Sequence, residues 1–307
     1  MLNVDFMPVS GFEEGKFGVC VFLFRYAVYF QDQNIFDVAS VLFEAIVGEI
    51  NIHEPITFRR GLTGYGYGII SLITEEIMEA EDSEILSEIN QQIFSRLDEV
   101  ADMTNSDGLL GVGRYISAFA INVADKDLKN SQVRSVLDQI SKKILVDNPV
   151  SGGKKNFIEF LVHMISLKIN RDQSLSKLRE IIVNSHFGEA PPSVLLENYS
   201  NSNIPLLKEA AQTMILDYHD MPDDRRSLHK TSLSLLETFS SVNYLAHYFP
   251  EQDFTESVAY WGNRLMSGPG NSIAGFDVDK ELQNFRMFNG YANFGMELLK
   301  ILTLNQN

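Results

Sequence analysis

Four stretches of this chain open on one phrase: a glycine, two further residues, a small residue, then a long apolar run. They are Gly15-Lys16-Phe17-Gly18, Gly61-Leu62-Thr63-Gly64, Gly108-Leu109-Leu110-Gly111 and Gly290-Tyr291-Ala292-Asn293, with a weaker fifth at Gly153-Lys154-Lys155-Asn156. The first intervals are 46, 47 and 45 residues, and Gly153 to Gly290 spans 137, close to three more. A fixed period of this size marks a stacked repeat architecture, in which each unit buries its apolar face only against its neighbours. Completing the series needs starts near 190 and 228, seven units in all. The first unit shows what each contains. Residues 18–30 are apolar nearly all round, whereas residues 35–49 alternate apolar and polar with a helical period. An all-round apolar helix belongs in an interior and an amphipathic one outside it. The expected fold is therefore all-α, a single domain over 1–307 built as an α/α toroid of about seven inner/outer helix pairs, with about thirteen helices.

Composition limits the partners. Apolar residues are 45% of the 307 and charged residues 21%, enough to build a large core. With 25 Lys+Arg against 41 Asp+Glu the formal charge is −16, which disfavours nucleic acid and anionic membrane, since phosphate neutralisation needs a basic surface. Cys20 is the single cysteine, so neither an intrachain disulfide nor a multi-cysteine metal cage can form. The first residues carry no basic n-region of a signal peptide, and the longest apolar run, Phe17 to Phe24, is far too short to span a bilayer. A cytoplasmic, reduced setting is expected.

The glycines admit two readings. A helix opening on Gly-x-x-Gly has no side chains over its first turn, so its backbone N–H groups can approach a ligand. Several such N-termini around one cavity would give it positive partial charge and free donors. On this reading Gly61, Gly64, Gly108 and Gly111 form a peptide- or anion-binding bowl. On the other reading the glycines serve close helix packing.

The repeat phase and wording resemble the lanthionine synthetase cyclase family, zinc enzymes with seven-fold α/α toroids. Asp107-GLLGVGRYISAF is similar to that family's third repeat and Arg59-Arg60-GLTGYGYGIISLI to its second, and the resemblance covers about residues 15 to 304. It implies a zinc held by two cysteines and a histidine. Ser185-His186-Phe187-Gly188-Glu189-Ala190-Pro191-Pro192 resembles the first ligand segment, with His186 where a cysteine would stand and one residue inserted. Ser227-Leu228-His229-Lys230 resembles the second: His229 matches the family histidine, Leu228 replaces the other cysteine and Lys230 the glycine. The family's histidine before the fourth-repeat glycine corresponds to Gly152, and its aspartate before the third-repeat glycine falls near Thr104, with Asp102 and Asp107 as stand-ins.

In such cyclases zinc activates a substrate thiol for addition to a dehydroamino acid. A catalytic zinc uses three protein ligands and an open fourth position. Here His186 and His229 are the remaining candidate metal ligands, Glu189 is a nearby carboxylate, and His229 and Asp107 are the candidate catalytic residues. The expectation is a degenerate member with no zinc or a weakly bound one, which binds a precursor peptide or supports partner modification enzymes. Two alternatives stay open: an active cyclase with a rearranged His-based site, and a carbohydrate-active α/α enzyme. The last needs paired carboxylates, for which Glu159 is the nearest inner-helix candidate.

The remaining residues have plainer readings. His53, His163 and His247 read as packing or surface. Residues 218–226 read as a solvated loop, and Asp277 and Asp279 as turn and capping residues. Cys20 reads as a buried, inert thiol, and Trp261 as part of an outer helix.

Overall fold

The computed structural model describes residues 11–13, 15–79, 84–100, 107–122, 130–146, 154–184, 191–219, 232–267, 295–296 and 299–300. Among the described residues there are twelve α-helices, one short 3-10 helix and no strand, which makes the fold all-α. In chain order the helices are α1 (Lys16–Phe30), α2 (Gln33–Glu49), α3 (Leu62–Thr74), α4 (Glu84–Ser95), α5 (Leu109–Asn122) and α6 (Asn130–Val146). They continue as α7 (Lys154–Ser166), α8 (Arg171–Val183), α9 (Pro192–Ser202), α10 (Pro205–His219), α11 (Ser232–Tyr248) and α12 (Thr255–Ser267). Thus α1, α3 and α5 each begin one residue after the leading glycine of a repeat, Gly15, Gly61 and Gly108, and α7 begins at the position after Gly153. Further helices, α9 and α11, begin at Pro192 and Ser232. Gly153 and Gly290 themselves lie outside the described residues.

The described helices fall into two compact units, one built from the chain up to Leu178 and one from Arg179 onward, with the division inside α8. In the first unit α1 lies against α3, α3 against α5 and α5 against α7, so successive leading helices form a row. The helices α2, α4 and α6 each pack on the leading helix that precedes them, α1, α3 and α5. Burial follows this division of labour: eleven residues of α5 are buried, but only Ala39 and Ile46 of α2.

Local chemistry explains the turns. Gln31 takes the left-handed conformation after α1, with φ 53°, and the Asp32 N–H returns to the Ala27 carbonyl at 2.9 Å. The Asp32 carboxylate then accepts from Asn34 N–H and Ile35 N–H at 3.0 and 3.2 Å, capping α2. The α1–α2 hairpin therefore turns within two residues.

Glycines in this unit set how closely the row packs. A Cβ on Gly66 of α3 would strike the Tyr115 ring of α5, and one on Gly113 of α5 would strike the Phe160 ring of α7. The relation is the same in both repeats, because Gly66 and Gly113 are 47 residues apart and Tyr115 and Phe160 are 45 apart. Each glycine is the hole for an aromatic knob of the next unit. Tyr115 is then fixed at its far end, where its hydroxyl donates to Asn90 Oδ1 of α4 at 3.0 Å.

In the second unit α9 packs on α10 and on α11, and α11 packs on α12. The α9–α11 contact combines an edge-to-face pair of Tyr199 and Tyr248, 6.0 Å between centroids, with small polar groups. Ser241 Oγ donates to Ser193 Oγ at 3.2 Å, and the Ser193 N–H lies 3.3 Å from Ser241 Oγ. Asn203, with φ 55°, ends α9 by donating to the Tyr199 carbonyl at 2.7 Å, and Pro205 starts α10. Trp261 is buried on α12.

Two substitutions separate crowded from open glycines. Gly64 of α3 sits under the Phe58 carbonyl oxygen, where a Cβ would overlap it, so Gly64→Leu is expected to cost about 3 kcal/mol or more. Gly48, near the end of α2, has nothing within 4 Å of its Cβ position, so Gly48→Ala is expected to add about 0.5 kcal/mol. Urea unfolding of the two variants checks both signs.

Candidate functional site

The first unit buries a charged network. Its centre is Arg114 on α5, whose side chain is 8% exposed. The Arg114 Nη2 and Nε groups donate to Glu159 Oε2 of α7 at 2.8 and 3.1 Å. The other oxygen, Oε1, accepts from the Tyr67 hydroxyl of α3 at 2.6 Å. A second carboxylate approaches from the segment before α1, with Glu13 Oε1 at 3.9 Å from Arg114 Nη1. Glu13 Oε2 in turn pairs with Arg59 Nε at 3.3 Å, and the Glu13 N–H donates to the Arg59 carbonyl at 3.1 Å.

Aromatic rings close over the guanidinium. Arg114 stands 4.4 Å from the Phe58 ring centroid and 5.1 Å from that of Tyr67. Phe12 packs on both rings, at 5.8 and 5.7 Å between centroids. This cation–π geometry in a water-poor setting makes the site favour a permanently charged, planar side chain, which arginine supplies and lysine does not.

Electrostatics fix the protonation states. Burial works against the Arg114 cation, but Glu159, Tyr67 and Glu13 outweigh it and hold its pKa above the ordinary arginine value. Burial also works against the Glu159 carboxylate, yet Arg114 and the Tyr67 hydroxyl hold its pKa well below the usual range. Glu159 is therefore ionised at neutral pH, and both of its oxygens are engaged, by Arg114 and by Tyr67.

One turn further along α7, His163 faces Ser117 of α5, with Nδ1 2.8 Å from the serine oxygen. Ser117 Oγ also donates to the Arg114 carbonyl at 3.0 Å. With the hydroxyl proton directed at that carbonyl, Ser117 Oγ is left to accept from His163 Nδ1–H, the one tautomer that satisfies both contacts. Burial pushes the His163 pKa down, with Glu159 opposing, so the ring is neutral at pH 7. Ser117 is fully buried mid-helix and its oxygen is already engaged, which is no arrangement for a nucleophile.

The residues singled out by sequence fall as follows. Asp107, immediately before α5, accepts the Arg59 backbone N–H at 3.0 Å, beside the network. Gly61 is buried at the start of α3, where a Cβ would overlap the Pro55 carbonyl oxygen, and that oxygen takes the Leu62 N–H at 3.0 Å. Gly64 is buried under Phe58, and Gly108 and Gly111 are buried at the start of α5. His186, Glu189, His229 and Lys230 lie outside the described residues, as do Asp102, Thr104, Gly152, Asp277, Asp279 and residues 220–226. His53 and His247 are exposed. Among the described residues no three His, Cys, Asp or Glu side chains gather as a metal site, and no helix is long and apolar enough to cross a membrane.

Cys20 lies buried in α1, its thiol directed at the Ala39 carbonyl at 3.4 Å, and burial pushes its pKa up to about 12. It is a neutral packing group, as its place in the sequence suggests. The donor set of a two-thiolate zinc therefore does not fit this chain, whose sole thiol stays protonated.

Sequence reasoning passed over Arg114, Tyr67 and Glu13, and took Glu159 and His163 separately. The missed signal was the repeat register. Tyr67, Arg114 and Glu159 each stand six residues after a leading glycine, at Gly61, Gly108 and Gly153. Equivalent positions of adjoining repeats meet in space, so a Tyr, an Arg and a Glu there spell out a contact. No protein-family model matches the chain, and no curated protein matches it either.

Acid titration tests the assigned states. A depressed folded pKa means that the unfolded chain takes up protons first, so stability falls as pH falls. His163 should contribute a loss starting near its ordinary value of 6.5, and Glu159 a second loss starting near 4.5. His163→Gln, which keeps a hydrogen-bonding group toward Ser117, is expected to remove the upper limb and leave the lower one. Urea midpoints between pH 3.5 and 8 check it; an unchanged upper limb in the variant contradicts the assignment.

Proposed function

We propose that this chain is a lanthionine synthetase cyclase-like protein that binds a precursor peptide or supports partner modification enzymes, without zinc-activated thiol addition of its own. The observation that carries the non-catalytic half is Cys20. The family's chemistry rests on thiolate ligands, and the one thiol here is buried, protonated and spent on packing. The family half rests on the glycine-led repeats and on their leading helices forming a row with the following helices packed against it. Closure of all seven units into a toroid belongs to this proposal.

Recognition on this reading uses side chains more than bare helix ends. The first turn of α3 is covered by the Pro55–Phe58 backbone, so its glycines serve close approach. Arg114, locked between Glu159 and the Phe58 and Tyr67 rings, acts as a positioning residue for the row.

The test is zinc stoichiometry after purification without added metal, on the parent and on His186→Ala and His229→Ala. Well under one zinc per chain is expected in all three. One tightly held zinc, lost in either variant, overturns the proposal in favour of an active cyclase with a His-based site.

A further inference from the structure

Among the described residues of α4, α6 and α8 the only large apolar ones left exposed are the last of their helices, Val146 at 84% and Val183 at 82%, whereas α2 exposes apolar residues in mid-helix. On α4 the apolar residues Leu86, Ile89 and Ile93 are buried, and on α6 Val133, Leu137, Ile140 and Ile144 are buried. On α2 the inward side is similar, with Ala39 and Ile46 buried and the Phe36 and Phe43 rings meeting Phe24 edge to face, at 5.2 and 6.1 Å between centroids. The outward side, however, carries Val38 and Val41, 51% and 68% exposed, with Ala45 and Gly48 exposed behind them. Residues 38, 41, 45 and 48 follow one another at helical spacing, so they form one stripe. The hairpin partner adds Val28 and Phe30, about half exposed, at the end of α1.

Charge along this stripe is one-sided. From Tyr26 to Phe58 there is no Lys or Arg, while Asp32, Asp37, Glu44, Glu49 and Glu54 are all acidic. Asp32 is occupied in capping α2, and Asp37 accepts from Gln33 Nε2 at 2.8 Å. Asp37 and Glu44 flank the stripe on one side and Glu49 on the other, by their helical angles. All three are exposed, and none forms an ion pair among the described residues.

We propose that the outward face of α2 is a docking site for a cationic amphipathic helix of a partner protein or peptide. Apolar anchors at i, i+3 and i+7 would cover Val38, Val41 and Ala45, and Lys or Arg beside them would meet Asp37, Glu44 and Glu49. A second copy of this chain is the wrong occupant, since two α2 faces would oppose carboxylates with no cation between them. An anionic membrane surface is wrong for the same reason. The inference does not rest on the peptide-modification reading, because it uses no metal site and no feature of the repeat glycines.

The probe is a labelled peptide of about 18 residues made only of Leu and Lys, with Leu at helical spacing. Its control has the same composition rearranged to alternate, and binding is followed by fluorescence anisotropy at about 0.15 M salt. Val38→Ser/Val41→Ser leaves the charge untouched and is expected to weaken binding at least about tenfold. Glu44→Lys/Glu49→Lys is expected to do the same, whereas the equal charge change at exposed Asp172 and Glu251 should alter it less than about twofold. On the unaltered protein, the peptide should slow amide exchange across residues 37–49. Equal binding of the alternating peptide, parent-like binding by Val38→Ser/Val41→Ser, or unchanged exchange over α2 overturns the proposal. So does a dimer in sedimentation, or binding to phosphatidylserine vesicles, that the same double substitution abolishes.

Discussion

A guanidinium taken out of water needs partners, and Arg114 meets groups from four separate parts of the chain, its Nη1 facing the Glu13 carboxylate at 3.9 Å without a hydrogen bond. Glu159 comes from α7, Tyr67 from α3, Phe58 from the loop before α3 and Glu13 from the segment before α1. These groups lie far apart in sequence, so each bond is also a long-range tie across the first unit. Apolar contacts along the row tolerate small slippage, whereas two guanidinium N–H groups converging on one carboxylate oxygen, beneath two aromatic rings, demand one geometry. The network therefore sets the register in which α3, α5 and α7 lie, at the cost of desolvating two full charges.

The glycines cooperate with this arrangement. Because Gly66 and Gly113 admit the Tyr115 and Phe160 rings, the helices approach closely enough for side chains on neighbouring backbones to bond directly. The same aromatic anchors hold α4 against α5 through Tyr115 and Asn90. Charge and shape thus enforce one another: the holes bring the helices close, and the ion pairs choose which hole each ring occupies. Around this interior the outer helices differ in duty: α4 and α6 present polar residues along their length, with Val146 exposed only at the end of α6, and α2 presents an apolar, acid-flanked face in mid-helix.

The period of the glycines was enough to place the leading helices, since α1, α3 and α5 begin directly after Gly15, Gly61 and Gly108. The inner and outer assignment followed from periodicity, because all-round apolarity and amphipathicity are properties of a helix by itself. The amphipathic reading of residues 35–49 was less complete: the pattern identifies a helix with a buried side, but not that Val38 and Val41 stay uncovered. Arg114 was hidden for a different reason. Within Gly-Val-Gly-Arg-Tyr it reads as one polar residue in an apolar run, and its partners become visible only when successive repeats are laid in register. Glu13 carried no such signal, as it belongs to no repeat. The peptide-modification reading, for its part, draws on wording shared with a family and on the chemistry of one buried thiol.

If Arg114 and Glu159 lock the first unit as described, their contributions to stability cannot be independent. The decisive measurement is a double-mutant cycle in urea with Arg114→Met, Glu159→Gln and the double variant. Each single substitution leaves a buried group without its partner and is expected to cost about 3–5 kcal/mol. The double variant should cost little more than either single one, which gives a coupling energy above about 2 kcal/mol. Additive losses, with coupling near zero, would contradict the account and reduce the network to contacts that the packing brings together without depending on them.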